Sequence, residues 1–535
     1  MKSAVRNLLL IALFVSVAPA VWAQDANANR QELDALRQTT MKLIELMVQS
    51  GIITQEKAEL LLREARRNAA QAAAPAKDAG EKEKVVRVPY VPQFVRDNMK
   101  EEIRQEVLAQ AKQERWGEPG ALPEWLNRFK FYGDVRLRYQ ANRFSGSNAP
   151  YINVQDTNAG NGAVFLNTTE NWDLWRFRTR LGFDANVAPG VTAGLRLASG
   201  SNTNPGSANQ TLGNTFTHAN FAIDRAFITL EPYSWLTLSG GRVENPWFYS
   251  DLVWAEDDLN FEGVYAKFKP RVSESTGLFF TMGAFPLEKN DCTNAVNVPN
   301  CGKDKWLYGA QAGLEQALAP SARLKLGVAL YDFQDVAGAL NDPVNDPSNR
   351  ASIPKYVQRG NSTFNVVTNG GNPLLGLAPD FRELNLTGTL TLTNFDPVNV
   401  TLLGDFVKNI GYDANKIRQR VNGRTPVVAG QVGSEFTPRT IGYQAKLTVG
   451  SVDLVKAGNW QLFGAYKYIE RDAVLDGFND QDFHLGGTDA KGYIIGGSYS
   501  IANNTWIRAR WLSANEIDGP PLSIDVLQVD LNAKF

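Results

Sequence analysis

The chain has 535 residues, with 55 Lys and Arg against 56 Asp and Glu, so its formal net charge is −1. A charge this close to zero gives no overall attraction to nucleic acid, and we expect no nucleic-acid partner. The two histidines and two cysteines fit no metal-ligand spacing, and the sequence has no phosphate-binding loop. We therefore expect no cofactor and no metal.

Residues 1–23 have the pattern of a secretory signal peptide. Lys2 and Arg6 give the positive start, residues 8–17 give a short apolar core, and Ala23 ends a cleavage site. The alternative is an N-terminal membrane anchor, but the apolar core is shorter than the roughly 20 residues that cross a bilayer. We therefore expect an exported protein. Later in the chain, no apolar run is long enough for a transmembrane helix.

Helical patterns follow the signal peptide. In the segment 24–70, apolar residues from Leu33 to Met47 recur at spacings of three, four and seven, which predicts a periplasmic helical hairpin or short coiled coil. Residues 71–92 are rich in Ala, Pro and Lys, which is typical of a linker. Residues 93–124 are charged and have apolar side chains at four-residue spacing, which indicates an amphipathic helix.

From residue 125 to residue 535 the sequence alternates between apolar and polar residues. Gly, Pro, Asn and Asp divide it into about 16 segments of roughly 9 to 14 residues, the length of tilted strands that cross a bilayer. The segments are 129–141, 173–187, 190–200, 220–231, 234–242, 257–270, 276–286, 304–316, 321–334, 380–394, 398–410, 437–450, 458–470, 488–500, 503–513 and 523–535. The predicted fold class is therefore an all-β transmembrane antiparallel β-barrel of about 16 strands, within a range of about 14 to 18, preceded by a short α-helical region.

The connections between these segments alternate between short and long. Asp396-Pro397 and Asn503-Asn504 are among the short ones, whereas 335–379 is the longest. Tight turns on one side and longer loops on the other are typical of outer-membrane barrels. Because an even number of strands returns both ends to one side, we expect the N-terminal region and the C-terminal residue to lie in the periplasm.

The last segment ends on an aromatic residue. Leu527, Val529 and Leu531 alternate with polar residues, and the alternation continues to Phe535. Such a final strand resembles the signal that the barrel-assembly machinery of Gram-negative bacteria reads. We therefore expect Phe535 to act as an assembly signal, and we expect this machinery to be a partner of the protein.

Cys292 and Cys301 are the two cysteines of the chain and lie in a polar stretch that is rich in turn residues. An exported protein meets an oxidising compartment, which favours a disulfide between them. Metal binding is the weaker interpretation, because neither a histidine nor a second pair of cysteines lies nearby.

Short stretches between residues 173 and 264 resemble the putative porin family of Gram-negative bacteria. These stretches are 176–183, 193–200, 209–213, 224–226, 240–242, 245–247, 251–254 and 261–264. The resemblance covers residues 125 to 535. It implies a pore-forming outer-membrane protein and implies no particular solute. We expect such a barrel to contact outer-membrane lipid and lipopolysaccharide.

Arginines concentrate on the polar faces of a few segments. Because the last strand of a barrel closes against the first, the last two segments and the first three become neighbours. The predicted pore-lining basic residues on these five segments are Arg136, Arg138, Arg176, Arg178, Arg180, Arg196, Arg508 and Arg510. They would form a continuous basic wall in a polar lumen, which favours anions. The alternative for each arginine is a structural ion pair with Asp, or a contact with lipopolysaccharide near the rim.

The third long connection carries acidic and aromatic residues. Its acids are Glu244, Asp251, Glu256, Asp257 and Asp258. In trimeric general porins, which this architecture resembles, the third loop folds into the barrel and narrows it, and the same resemblance implies a homotrimer. A basic wall opposite an acidic loop would produce a transverse field that orients polar solutes. The alternative is a loop outside the barrel with solvated acids.

Three functions from different classes fit this sequence. The first is a passive diffusion channel for small hydrophilic solutes or ions, leaning toward anions. The second is an outer-membrane anchor that tethers the envelope through the periplasmic helices. The third is a surface receptor or adhesin that uses the long loop 335–379.

An enzyme is not expected. His218 and His484 fall in predicted loops far apart in sequence, and no serine is singled out beside either of them. A TonB-dependent transporter is also disfavoured, because the N-terminal region is too short for a plug domain and about 16 strands is fewer than the roughly 22 of that class.

Overall fold

The computed structural model describes residues 126–160, 162–290, 303–343, 349–424, 426–428, 431–432 and 436–535. The predictions for the segments 1–23, 24–70, 71–92 and 93–124 lie outside the described residues. The same holds for the predicted disulfide between Cys292 and Cys301. All of these stay predictions.

Sixteen long antiparallel strands build the main sheet of the described residues. They are β1 Phe129–Phe144, β2 Trp172–Ala188, β3 Val191–Ser199, β4 Phe221–Tyr233, β5 Leu236–Glu244, β6 Asn260–Phe268, β7 Thr276–Glu288, β8 Lys305–Ala319, β9 Ala322–Gln334, β10 Phe381–Phe395, β11 Val398–Asn409, β12 Ile441–Gly450, β13 Trp460–Ile469, β14 Ala490–Ala502, β15 Thr505–Glu516 and β16 Ser523–Lys534. Each predicted segment coincides with one strand. The largest shift is at β12, which begins at Ile441 although the pattern predicted 437.

The sheet closes into a barrel because β1 pairs on both sides. Val135 lies opposite Thr179 of β2 and opposite Ala533 of β16. Just beyond β16, the Phe535 N–H donates to the Gly133 O at 3.0 Å, and the Gly133 N–H donates to the Phe535 O at 3.0 Å. Each of the sixteen described strands therefore pairs with two neighbours, and the sheet satisfies its backbone groups without water, as a bilayer requires.

The two faces of the barrel differ in polarity. Large apolar side chains on the outer face are exposed, for example Phe131 at 67 %, Leu462 at 59 % and Ile495 at 58 %. The alternate residues point inward and include charged side chains such as Arg138 and Lys467. An exposed apolar band around a polar interior is the arrangement of a membrane-spanning barrel, since a soluble protein would bury such a surface.

Short turns join the strands at one end of the barrel, the turn end, and loops join them at the other, the loop end. The turn end has two-residue connections such as 189–190 and 396–397. The connections at the loop end are L1 145–171, L2 200–220, L3 245–259, L4 289–304, L5 335–380, L6 410–440, L7 470–489 and L8 517–522. Strand β1 starts and strand β16 finishes at the turn end, as the even strand number predicts.

Several loops contain secondary structure of their own. The helices are α1 Val154–Asn158 in L1 and α2 Ala414–Val421 in L6, with 3-10 turns at Leu126–Arg128 and Phe483–Leu485. Short strands of L5 and L6 form a second sheet from Thr363–Asn365, Leu375–Leu377, Pro426–Val428 and Gln431–Val432, and Gln210–Thr211 of L2 pairs with β2. Across the described part of the chain, no helix has both the length and the apolar character that crossing a membrane needs.

Local sequence sets the ends of these elements. Asp413 caps α2, because its carboxylate accepts from the Asn415 N–H at 2.8 Å. Asn422 ends α2 in the left-handed conformation, with a φ of 47°. Gly190 permits the tight turn between β2 and β3, where φ is +72° and an added Cβ would lie 2.6 Å from the Glu231 O.

Cysteines placed at Val135 and Ala533 test the closure between β1 and β16. Facing Cα atoms of antiparallel strands lie about 4.5 to 5.5 Å apart, a distance that a disulfide spans. We expect Val135→Cys with Ala533→Cys to oxidise to one bridge, so that the boiled, unreduced chain runs faster in a denaturing gel. The control is Val135→Cys with Val529→Cys, whose second position lies farther along β16. Equal bridging in both pairs would contradict the register.

Candidate functional site

Loop L3 lies inside the barrel against strand β8. The Trp247 ring covers Gly309, where an added Cβ would lie 2.5 Å from the ring atom Cζ2. The Phe248 N–H donates to the Gln311 Oε1 at 2.8 Å, and the Gln311 Nε2 donates to the Phe248 O at 2.7 Å. Gly309 and Gln311 belong to the inward face of β8, so L3 follows the lumen wall and narrows the lumen.

Apolar packing joins L3 to the barrel interior. Trp254 is 1 % exposed, and its ring centroid lies 4.9 Å from that of Tyr331 and 5.1 Å from that of Phe261. Leu252 is fully buried in the same cluster. Burying apolar area contributes roughly 25 cal/mol per Å², so these side chains stabilise the inward position of the loop. L3 is therefore a packed part of the interior.

Two carboxylates of L3 anchor the loop at distant parts of the wall. The Asp251 carboxylate accepts from the Gln444 Nε2 at 2.6 Å and lies 3.4 Å from the Lys467 Nζ. These two partners belong to β12 and β13. The Asp258 carboxylate lies 3.0 Å from the Arg178 Nη1, on β2. L3 therefore crosses the lumen between these strands, held at each side by a buried ion pair.

The other predicted acids of the third loop are accessible. Glu256 and Asp257 are exposed, and the Glu256 Oε1 lies 3.7 Å from the Lys446 Nζ. Glu244 lies at the end of β5, where it pairs with Arg225 at 2.9 Å. The prediction treated the five acids alike, but the structure makes two of them anchors and leaves Glu256 and Asp257 as the exposed carboxylates of L3.

Strand register places the predicted arginines side by side on four neighbouring strands. Arg508 of β15 faces Asp530 of β16. Asp530 in turn faces Arg138 of β1, and Arg138 faces Arg176 of β2. Because the last strand closes against the first, side chains from both ends of the barrel sequence form one inward-facing row.

Five of the eight predicted arginines form ion pairs with carboxylates among the described residues. The pairs are Arg138 with Asp530 at 2.7 Å and with Asp482 at 3.1 Å, Arg178 with Asp134 at 2.9 Å, Arg180 with Asp134 at 2.7 Å, Arg196 with Asp224 at 2.5 Å, and Arg510 with Asp482 at 2.6 Å. A structural ion pair was the alternative that the sequence left open for each arginine. These five arginines do form ion pairs with Asp, and the neighbouring carboxylates offset their charge.

The remaining three arginines are Arg136, Arg176 and Arg508. They form no ion pair within the described residues, and the Nε atom of each is buried without a hydrogen-bond partner. Arg136 donates through Nη2 to the Asn209 Oδ1 at 2.6 Å. The Arg508 guanidinium lies 4.9 Å from the Phe463 ring centroid, in a cation–π contact that leaves its charge in place. None of these three guanidinium groups forms an ion pair in the described residues, although the charges of Asp258, Asp482 and Asp530 act on them from farther away.

Loop L7 also reaches the wall, which the sequence did not predict. The Asp482 carboxylate lies 3.1 Å from the Arg138 Nη1 and 2.6 Å from the Arg510 Nη2. Asp480 lies 2.7 Å from the Lys467 Nζ. The signal in the sequence was the run of aspartates through 472–482, but strand alternation assigns no partners to a loop.

L3 and L7 contact each other inside the barrel. The Ala255 N–H of L3 donates to the Phe478 O of L7 at 2.7 Å. The Phe478 ring stacks on Phe333 of β9 at a centroid distance of 6.3 Å and lies 6.4 Å from the Trp254 ring. The two loops are therefore joined by a backbone hydrogen bond and share one apolar cluster.

A second basic cluster surrounds a cavity of about 630 Å³ at the turn end. Its cations are Lys269, Arg271, Arg323 and Lys325, and its acids are Glu274 and Glu315. The Lys325 Nζ lies 2.6 Å from the Glu315 carboxylate and 4.7 Å from the ring centroid of Phe248, in L3. Sequence reasoning missed this cluster because its members come from separate turns and strands and form no run.

The buried His484 side chain forms hydrogen bonds with two other loops. His484 lies in L7, with Nδ1 2.6 Å from the Arg359 Nη2 and Nε2 3.0 Å from the Leu522 O. His218 is exposed in L2. Among the residues that the structure describes, no group of three His, Cys, Asp or Glu side chains is placed to hold a metal ion. His484 therefore joins L5, L7 and L8.

A sequence profile described as "Putative porin" matches residues 37–535. The chain belongs to this putative porin family and is a porin-type β-barrel of the outer membrane. The match begins well before residue 125, where the resemblance was expected to start. The family therefore includes most of the region that precedes the barrel.

Several solved structures resemble this chain at low identity. The structure of OprB from Pseudomonas putida has 12 % identity and a TM-score of 0.42, covering 77 % of this chain and 96 % of that one. The outer membrane channel DcaP of Acinetobacter baumannii has 11 % identity and a TM-score of 0.38, covering 76 % and 97 %. A triple mutant of the Rhodopseudomonas blastica porin has 12 % identity and a TM-score of 0.34, covering 76 % and 100 %. No curated protein sequence matches this chain.

Gly309→Ala tests whether the Trp247 contact holds L3 in the lumen. The added methyl group would overlap the indole ring, and such overpacking costs about 1–3 kcal/mol. We expect L3 to detach in part, so that the single-channel conductance rises in planar bilayers. The control is Gly464→Ala, because an added Cβ there meets nothing within 4 Å. An equal conductance change in both variants, or none in either, would contradict this role of Trp247.

The carboxylates that hold L3 and L7 differ in pKa. Burial alone would raise the pKa of Asp258, but the attraction of the nearby arginines outweighs it and holds this pKa below its ordinary value of 3.8. The same opposition acts at Asp482, whose pKa lies well below 3.8. In L7, burial raises the pKa of Asp476 to about 7. The docking of the two loops therefore depends on pH in two separate ranges, one for the lowered pKa values and one for the raised pKa.

Docking of L3 and L7 should be strongest near pH 4 and should weaken as the pH falls below that value or rises toward pH 7. The lowered pKa values of Asp258 and Asp482 mean that their contribution to stability is present above the ordinary pKa and is lost as the pH falls further. The raised pKa of Asp476 means that the contribution of its protonated carboxyl is lost as the pH rises through about 7. We expect the lowest conductance near pH 4, a rise below that pH, and a second rise between about pH 4 and pH 7. Asp476→Asn should abolish only the second rise.

Proposed function

We propose that the protein is a passive diffusion channel for small hydrophilic solutes and ions, with a preference for anions. One observation carries the proposal. Arg136, Arg176 and Arg508 stand on one wall without a carboxylate partner in the described residues, whereas Glu256 and Asp257 are exposed on the loop inside the barrel. Charges that line a pore select its solutes.

The two sets of charges act on a solute in opposite senses. At an effective dielectric constant of about 20, two unit charges about 8 Å apart interact by about 2 kcal/mol. The field between wall and loop orients a dipolar solute and draws an anion toward the arginines. An apolar solute gains nothing from this field and must displace water that the charges hold, so the passage favours polar solutes.

The basic cluster at the turn end supports a route along the lumen. Lys269, Arg271, Arg323 and Lys325 surround the 630 Å³ cavity there, and only Glu274 and Glu315 among its lining residues are acids. An anion that leaves the arginine wall would meet a second region of positive charge. We place the loop end outside the cell and the turn end, with the N-terminal region, in the periplasm.

The outer face of the barrel supports lipid as its partner. Its exposed side chains include Leu181 at 44 %, Val328 at 51 % and Tyr499 at 55 %, which suit the hydrocarbon of a bilayer. The contacts with lipopolysaccharide and with the barrel-assembly machinery stay predictions, as do the homotrimer and the roles of the protein as a tether or a receptor.

Removing positive charge from the arginine wall, or negative charge from L3, tests the proposed anion preference of the channel. We expect Arg136→Gln with Arg508→Gln to lower the chloride-over-potassium permeability ratio by roughly a factor of three to ten. Glu256→Gln with Asp257→Asn should raise the ratio, because a repelling charge is removed. The measurement is the reversal potential of the purified protein in a planar bilayer under a salt gradient.

The choice of arginines matters in this experiment. Replacing Arg178 or Arg180 would also free Asp258, and would therefore mix a change of pore charge with a change of loop position. Arg136 and Arg508 form no ion pair with a loop carboxylate in the described residues, and the loop contact of Arg136 is a hydrogen bond to the Asn209 amide of L2. Unchanged selectivity in both double variants would remove the proposed field, and silence from folded wild-type protein would remove the channel.

A further inference from the structure

Four loops enclose a cavity of about 320 Å³ at the loop end, next to Arg176. Small-molecule sites have volumes of roughly 300–1,000 Å³, so this cavity has room for one sugar-sized solute. L1, L2, L5 and L7 supply most of its lining. The polar side chains in that lining include Asn204, Ser207, Asn209, Thr211, Tyr356 and Gln481.

Arg176 presents a charged group to this cavity. Its Nε is buried without a hydrogen-bond partner, and it has no ion pair among the described residues. The register places Thr211 opposite Arg176, and the Leu212 N–H donates to the Trp175 O at 2.9 Å. L2 is therefore fixed against β2 beside the guanidinium. A guanidinium has a planar set of donors that matches a carboxylate with two hydrogen bonds.

The other charged groups of the cavity are already paired. Asp482 is held by Arg138 and Arg510, as described for L7. Arg359 lies 3.0 Å from the Glu516 carboxylate. The charge that remains available to a ligand is the positive charge of Arg176, which favours a carboxylate over a neutral or cationic group.

Amide and hydroxyl groups of three loops converge on the same cavity. The Asn204 Nδ2 donates to the Gln481 Oε1 at 3.2 Å, and the Tyr356 hydroxyl donates to the same atom at 3.1 Å. Side chains of this kind both donate and accept, so they match the hydroxyl groups of a sugar. A plain fatty acid would place its hydrocarbon chain against these polar groups and form no hydrogen bond with them, so the lining favours a hydroxylated ligand.

We propose that this cavity binds a small polyhydroxylated carboxylate, a sugar acid, with its carboxylate on Arg176 and its hydroxyl groups on L2, L5 and L7. The inference rests on the proposed anion channel, because the solute arrives through the loop end and leaves along the wall. Asn209 links the cavity to that wall, since its Oδ1 accepts from Arg136 at 2.6 Å. Binding here would precede transfer to Arg136, the next arginine without an ion pair in the described residues.

Titration calorimetry on the folded full chain in detergent tests this site with D-glucuronate, D-glucose and propanoate. We expect D-glucuronate to bind at least tenfold more tightly than either of the others, because only it offers both the carboxylate and the hydroxyl groups. Arg176→Gln should weaken D-glucuronate binding at least tenfold. The matched control is Arg143→Gln, since the Arg143 guanidinium lies outside the cavity and pairs with Asp173 at 2.5 Å.

Each other result overturns a defined part of the inference. Equal binding of propanoate would remove the sugar recognition, equal binding of D-glucose would remove Arg176, and no binding of any probe would remove the site. If Arg176→Gln fails to fold, Arg176→Lys keeps the charge but loses the planar donors, and unchanged D-glucuronate binding would then contradict the proposal. If the protein conducts chloride selectively but does not bind D-glucuronate, the proposed channel function stands and the binding site is wrong. If it binds D-glucuronate but does not conduct ions, the binding site stands and the channel function is wrong.

Discussion

The pairing of β1 with β16 is the constraint on which the interior depends. A sheet in hydrocarbon must satisfy its backbone groups strand to strand, and its outer side chains must be apolar. Charged residues of the strands therefore point inward. Closure then places Arg138 of the first strand beside Asp530 of the last. Without it, the arginines of β1 and β2 and those of β15 would lie at opposite edges of an open sheet.

A wall with this many guanidinium groups cannot be buried by itself. A buried charge needs a partner, because desolvation costs several kcal/mol per ion. The strands supply part of the compensation through Asp134, Asp224 and Asp530, and the loops supply the rest through Asp258 and Asp482. The inward position of L3 and L7 is thus linked to the charge of the wall. The arginines that form no ion pair in the described residues are the ones that we propose to meet solutes.

The period of two in the sequence predicted most of the barrel, because side chains alternate between lipid and lumen along every strand. It also predicted that Arg138 and Arg508 would be near neighbours, since the last strand of a barrel closes against the first. It could not divide the acids of L3, because whether Asp258 or Asp257 meets an arginine depends on the path of the loop through the lumen. Asp482 was missed for the same reason, as a loop has no repeating pattern that assigns a distant partner.

The hydrogen bond from Ala255 to Phe478 has a mechanical consequence. It joins L3, which lies against the barrel wall, to L7, which connects β13 to β14 at the loop end. Displacing L7 would therefore remove a backbone partner from L3 and disturb the ring contact between Trp254 and Phe478. The width of the passage beside L3 thus depends on contacts made by a loop outside the strands that carry the arginines.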